Sequence, residues 1–240
     1  MVACPDESPD KAQSSSATNL GVLMRHSSRA WWDLFLLLSL LLVIVLYPML
    51  DRGEVRRLIL GGLMFAPLLL ATVRMAQIKV WGWPTVLLMT AVMISTAVRT
   101  LFPSRMFIGL KWGLLAAFFG LSVIVLFSYL RSARTIDDGH LYTAVSIYLL
   151  LGLQWFALYS AIDVLSPGSI QRNASVAAER HAELLYFSLV TLSTIGYGDV
   201  VPLHGEVRML AALEGVAGVL YIAITVALLV SAYRPRSSSA

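Results

Sequence analysis

Charge and cysteine are scarce in this sequence of 240 residues. Only 13% of the residues are charged, and the single cysteine, Cys4, lies in a polar N-terminal stretch. One cysteine excludes an intrachain disulfide framework, and the scattered histidines form no metal-binding pattern. The net charge of +4 is spread along the chain, so we expect no nucleic-acid partner. No segment groups a nucleophile, a base and an acid, and we expect neither an enzyme nor a bound cofactor.

Apolar residues, in contrast, make up 58% of the chain, and the mean hydropathy is +0.77. A soluble domain of this size does not need so much apolar surface, so the composition indicates a membrane protein. Six apolar stretches approach the length of about 20 helical residues that crosses a bilayer. Tryptophans near their ends are typical of contact with membrane lipid. The stretches are residues 34–50, 58–73, 80–98, 112–130, 141–162 and 215–233, of which the second is short and contains Pro67.

The string TLSTIGYGDV, residues 191–200, is unusually polar and glycine-rich for its place between the last two stretches. Residues 178–193 lead into it; they are too short to cross a bilayer after their charged start and predict a re-entrant helix. Non-helical backbone is tolerated at membrane depth only where protein buries it or where it lines a watery path. Glycines accept positive φ, and their alternation with other residues lets successive carbonyl groups point the same way. Such carbonyls, at the negative end of a helix, favour a dehydrated cation.

Residues 194–199, Thr-Ile-Gly-Tyr-Gly-Asp, resemble the selectivity-filter signature of potassium channels, T-[VI]-G-Y-G-D. Pro202 and Gly218 also fit the family pattern, and the resemblance extends over roughly residues 141–233. The chain is similar to bacterial channels with one pore loop per chain that are grouped with the two-pore-domain potassium channels. A simple glycine turn between two helices is the alternative, and the six consecutive matches in this context argue against it.

The resemblance implies a role for each matching residue. The K⁺ ions, the only metal expected, are coordinated by Thr194, Ile195, Gly196, Tyr197 and Gly198. Asp199 anchors this filter from behind, and Gly218 is the hinge of the inner helix. One chain supplies a quarter of a carbonyl ring, so we expect a homotetramer. The basic residues are divided evenly between the two sides and do not orient the chain. The resemblance implies a filter that opens outward, so we expect both termini to be cytoplasmic. We expect the protein to lie in the plasma membrane, which in a bacterium is the inner membrane.

The expected fold class is therefore an all-α integral membrane protein with six transmembrane helices. A re-entrant pore helix and a filter loop lie between helices 5 and 6. The fourth span has no basic residue between Lys111 and Arg131, so it lacks the charge ladder of a voltage sensor, and we expect weak voltage gating. The predicted domains are a disordered cytoplasmic tail (1–30), a four-helix membrane domain (31–135), a pore domain (136–233) and a short cytoplasmic tail (234–240).

Glu214 is an acid inside a predicted span. Helical spacing assigns it to a polar or small-residue stripe of the last span, together with Gly218, Tyr221 and Thr225. An apolar stripe, Val219, Ile222 and Val226, is placed on the central cavity by the family resemblance. We expect Glu214 to lie behind the filter and support it together with Ser188 and Thr191, since intramembrane acids are commonly functional. The alternative is a neutral, protonated Glu214 that makes one packing hydrogen bond.

The leading hypothesis for function is a potassium-selective channel that passes K⁺ passively through a tetrameric pore. A less selective cation channel or a regulatory pore subunit is the first alternative. A structural or signalling membrane protein with a vestigial pore loop is the second, and the intact string argues against it.

Overall fold

The computed structural model describes residues 31–48, 66–73, 82–102, 104–132, 137–171 and 180–232. This part of the chain is helical except for one small two-stranded sheet. Both predicted tails, 1–30 and 234–240, lie outside the described residues. The elements are α1 (Trp31–Pro48), α2 (66–73), α3 (Gly82–Leu101), α4 (Arg105–Arg131), α5 (Asp138–Leu165), β1 (Ile170–Gln171), α6 (Arg180–Leu192), β2 (Val201–Pro202) and α7 (Gly205–Ala232).

Four of the described helices, α1, α4, α5 and α7, are long and apolar enough to cross a bilayer. The chain is thus a multi-pass membrane protein. Helix α3 has a shorter apolar stretch, Trp83–Val98, and of the second predicted span only residues 66–73 are described. The count of six spans therefore stays a prediction.

Helices α4 and α7 begin more than one turn before the apolar stretches that predicted them. Helix α4 starts at Arg105 because the Ser104 hydroxyl accepts a hydrogen bond from the Phe107 amide and caps the helix. Helix α7 starts at Gly205, and Glu206 in its first turn is favourable beside the positive end of the helix dipole. Charged residues at these ends extend the helices beyond the apolar segments.

The hydrophobic core lies where α1, α4, α5 and α6 meet. Phe156 of α5 is fully buried, and its ring makes edge contacts with Tyr47 of α1 and Trp112 of α4, with ring centroids 5.4 and 5.3 Å apart. Tyr159, one turn further along α5, is also fully buried and contacts Phe187 of α6. This core gives α6 a rigid support from the side of α5.

The small sheet ties together the two ends of the segment that contains α6 and the glycine string. Ile170 pairs with Pro202 and Gln171 with Val201 in an antiparallel arrangement. The Leu203 amide also donates to the Ser169 carbonyl at 2.8 Å. Residues 194–199 are thereby held between α6 and a fixed return strand.

Candidate ion-binding loop

The backbone of residues 194–198 alternates between two conformations. Thr194, Gly196 and Gly198 lie in the left-handed region, with φ of 60°, 53° and 79°, whereas Ile195 and Tyr197 do not. Positive φ at Gly196 and Gly198 is what the sequence analysis expected of the glycines, and that such alternation makes successive carbonyl groups point the same way stays a prediction. Carbonyl oxygens arranged in this manner can replace the water shell of a cation.

The left-handed conformation of Thr194 was missed by the sequence analysis, which assigned positive φ to glycines alone. A β-branched residue in this region is a genuine outlier, because its side chain crowds the backbone. Such strain, about 1–3 kcal/mol, is retained chiefly where the surroundings enforce it, and it clusters at functional sites. The sequence could not predict the positive φ of Thr194, since threonine ordinarily avoids this conformation.

Hydrogen bonds to the last turn of α6 hold Thr194 in this conformation. The Thr194 amide donates to the Thr191 carbonyl at 2.9 Å, and the amides of Ile195 and Gly196 both donate to the Val190 carbonyl, at 2.9 and 3.2 Å. The loop therefore starts directly from the carbonyl end of α6, where the helix dipole is negative and a cation is favoured. Helix α6 has 13 residues, in keeping with the short helix predicted over 178–193.

Tyr197 attaches the far end of the loop to α6. The Tyr197 ring stacks on the Tyr186 ring with centroids 6.3 Å apart and planes 6° apart. The neighbouring Asp199 carboxylate accepts a hydrogen bond from the Val200 amide at 3.1 Å. Residues 194–199 are nevertheless all exposed in the single chain, and 70% of the Tyr197 side-chain surface is open.

Glu214 is fully buried where α5, α6 and α7 meet. Its Oε1 atom is 2.6 Å from the Ser188 hydroxyl of α6, and its Oε2 atom accepts from the Tyr159 hydroxyl of α5 at 2.7 Å. The Ser188 hydroxyl is also 2.8 Å from the Gly152 carbonyl oxygen of α5. The sequence analysis paired Glu214 with Ser188 but missed Tyr159 and Gly152, which belong to a distant helix.

The two stripes predicted on α7 differ in burial as the helical spacing requires. Glu214, Gly218 and Thr225 are buried, and Tyr221, which donates to the Ala144 carbonyl at 2.5 Å, is partly buried. The apolar stripe remains about half exposed, at 53% for Val219, 49% for Ile222 and 54% for Val226. One side of α7 thus packs on the protein while the apolar stripe is left open.

Gly218 makes a contact that the hinge interpretation did not anticipate. A Cβ atom added there would lie 2.0 Å from the Leu192 carbonyl oxygen at the end of α6. Helix α7 continues through Gly218 without a break. The absence of a side chain therefore allows the inner helix to touch the backbone that leads into the loop, and the hinge role stays a prediction.

A cavity of about 520 Å³ opens beside the loop. Thr191 and Val219 both line this cavity of the single chain. Ile222 and Val226 lie further along α7 and are not part of its wall. The lining residues are Thr191, Thr194, Gly196, Ala211, Ala212, Gly215, Val216, Val219 and Leu220.

An ion pair that the sequence analysis did not predict joins the C-terminal end of α5 to the start of α6. Asp163 is buried, and the Arg180 side chain donates to its carboxylate through Nε and to its backbone carbonyl at 2.8 Å. Because Arg180 begins α6, this pair helps to set where the helix starts relative to α5.

Comparison with known proteins points to the segment that contains the loop. Residues 145–234 match the family model described as ion channel. The match begins about two turns into α5 and contains the rest of that helix, α6, the glycine string and α7, while the residues before 145 lie outside it. The segment assembled above from contacts and backbone geometry is therefore the segment that resembles ion channels.

Individual relatives match this chain over short lengths. A protein from Rhodopseudomonas palustris that carries a potassium-channel name is 43% identical over 51 residues, which are 21% of this chain and 12% of that protein. Two pore potassium channel b of rice (Oryza sativa subsp. japonica) is 39% identical over 72 residues, 30% of this chain and 18% of the relative. Two pore potassium channel a of rice is 34% identical over 80 residues, 33% and 20%.

The matched region thus spans between 12% and 20% of the length of these curated relatives. No solved structure matches the chain.

Proposed function

We propose that this chain is one subunit of a potassium-selective channel and that K⁺ crosses the membrane passively through a pore made by four copies. The alternating backbone of Thr194, Gly196 and Gly198, set at the carbonyl end of the short helix α6, is the observation that carries the proposal. Carbonyls presented in a ring replace the water that a permeating cation loses. The potassium-channel names of the relatives support K⁺ as the ion.

Incomplete burial in the single chain supports assembly into a ring. Residues 194–199 are exposed, and only 17% of the residues in the apolar part of α7 are buried. Four chains around one axis would cover the loop and bring four sets of carbonyls together. In that arrangement Val219, Ile222 and Val226 line the central space that the four copies enclose below the filter.

The remaining roles follow from the contacts. Tyr197 holds the outer part of the filter against α6 by stacking on Tyr186, and Asp199 anchors the end of the filter through the Val200 amide. Glu214 and Ser188 brace α6 from behind. Thr191 supports the loop through its backbone carbonyl, which accepts from the Thr194 amide. With the filter mouth facing outward, both termini are cytoplasmic and the protein resides in the plasma membrane, as the inner membrane of a bacterium.

Reconstitution tests the proposal directly. The purified protein is placed in liposomes, and the reversal potential is measured with K⁺ on one side and Na⁺ on the other. We expect a potential far from zero, with the sign of a K⁺-selective pore. Native mass spectrometry of the same preparation is expected to give four chains per particle.

Each failure points to a different alternative. Current with a reversal potential near zero would overturn selectivity and favour a less selective cation channel. A tetramer that passes no ion would favour a regulatory or structural protein. Protein-free liposomes and the variant Gly113→Ala, which lies in α4 with open space around it, serve as controls.

A further inference from the structure

The hydrogen bonds around Glu214 require one more proton than hydroxyl groups alone supply. The Ser188 hydroxyl oxygen lies 2.6 Å from Glu214 Oε1 and 2.8 Å from the Gly152 carbonyl oxygen. A serine hydroxyl has a single proton and can donate to one of these oxygens at a time. With Glu214 as a carboxylate, the other contact would bring two oxygens to hydrogen-bonding distance with no proton between them.

We propose that Glu214 is a neutral carboxylic acid in the folded protein and donates its proton from Oε1 to Ser188. Ser188 then donates its own proton to the Gly152 carbonyl, and Tyr159 donates to Glu214 Oε2. Each short contact has one donor and one acceptor in this arrangement. The chain of hydrogen bonds runs from α7 through α6 to α5.

The surroundings of Glu214 favour the neutral form. Hydroxyl groups face it from both neighbouring helices, namely Tyr159 and, at longer range, Tyr148 from α5 and Ser188 from α6. Among the described residues, neither recorded ion pair includes Glu214. A fully buried carboxylate without a cation is strongly unfavourable, whereas a carboxylic acid with satisfied hydrogen bonds is tolerated.

The acid is a positioning residue, because it acts through α6 and contacts no ion. Ser188 lies one turn before Leu192, where α6 ends and the loop begins. Holding Ser188 against Gly152 fixes the carbonyl end of α6 relative to α5. The effect on ion selectivity rests on the proposed function, whereas the protonation state does not.

Infrared difference spectroscopy of the full-length protein at neutral pH reads the protonation state directly. The spectrum of the wild type minus that of Glu214→Gln is expected to contain the carbonyl band of a protonated carboxylic acid. Glu206→Gln, an exposed acid in the first turn of the same helix, is the matched control and is expected to show no such band. Carboxylate bands alone in the Glu214→Gln difference would overturn the proposal.

Thermal unfolding in detergent provides a second, independent measurement. Glutamine keeps a donor for Ser188 and an acceptor for Tyr159, so Glu214→Gln is expected to retain the wild-type midpoint, while Glu214→Ala lowers it by several degrees. Equal losses in both variants would contradict a neutral donor. Where Glu214→Gln fails to fold, Ser188→Ala is used instead, and a displaced acid band is expected because the acceptor is removed.

The two proposals fail separately. A wild-type protein that shows the acid band but passes no K⁺ would refute the channel and leave the neutral acid standing. A selective channel without the band would do the reverse.

Discussion

Replacing Gly218 with alanine distinguishes a flexible hinge from a backbone contact. A Cβ atom at this position would lie 2.0 Å from the Leu192 carbonyl oxygen, 3.0 Å from its carbonyl carbon and 3.1 Å from Leu192 Cδ1. Non-bonded heavy atoms are most stable at about 3.5–4.0 Å. Because the obstacle is backbone, α7 and the end of α6 must separate by more than about 1 Å to admit the methyl group.

The two interpretations predict opposite changes in the free energy of unfolding. If Gly218 is only a flexible point in α7, alanine stabilises the helix by about 1 kcal/mol. If the contact matters, overpacking costs about 1–3 kcal/mol, and a backbone obstacle favours the upper end. We expect a net loss of about 2 kcal/mol, which lowers the thermal midpoint of a chain of this size by about 4–8 °C.

Thermal unfolding in detergent and the K⁺/Na⁺ reversal potential are measured on the same preparations. Gly215→Ala is the matched control in the same helix, because its Cβ would lie at ordinary distances, 3.6 Å from the Thr191 carbonyl oxygen and 4.0 Å from Thr194 Cγ2. We expect this control to be at least as stable as the wild type, while Gly218→Ala loses both stability and selectivity. A Gly218→Ala protein as stable as the control would refute the contact argument.

Three further outcomes are expected. Gly196→Ala meets no neighbouring atom, but its φ of 53° strains an L-residue by about 1–2 kcal/mol, so K⁺ selectivity is lost while Gly113→Ala keeps it; an unchanged reversal potential in Gly196→Ala would contradict this. Arg180→Ala leaves the buried Asp163 carboxylate without its ion-pair partner and lowers the thermal midpoint, and adding Asp163→Asn restores part of the loss; no recovery would disprove the pairing. The conductance is expected to change gradually with voltage because α4 lacks a charge ladder, and a steep curve would be inconsistent with that.

Local patterns were sufficient to locate the helices and the loop. The apolar stretches predicted the positions of α1, α3, α4, α5 and α7 along the chain, because a lipid-facing helix must be apolar over its own length. The ends were less accurate, since capping by Ser104 and the polar first turn of α7 extend helices beyond the apolar residues. The string at 191–200 identified the loop because glycine and threonine content is a local property.

Helical spacing also predicted which side of α7 is buried. Residues 214, 218, 221 and 225 return to one face every three or four positions, and this face packs on the protein. The same reasoning brought Glu214 near Ser188, where the two side chains contact each other at 2.6 Å. Both inferences combined the period of a helix with the family resemblance, which placed the apolar stripe of α7 on the central cavity.

Contacts between distant segments were decided by packing alone. Tyr159 reaches Glu214 across 55 positions of the chain, and no local feature of α5 marks that tyrosine among the others. The left-handed Thr194 is enforced by carbonyls of α6, and the closeness of Gly218 to Leu192 depends on how two helices cross. These features arise from the relative placement of α5, α6 and α7, which depends on how the side chains of the whole core fit together in close packing.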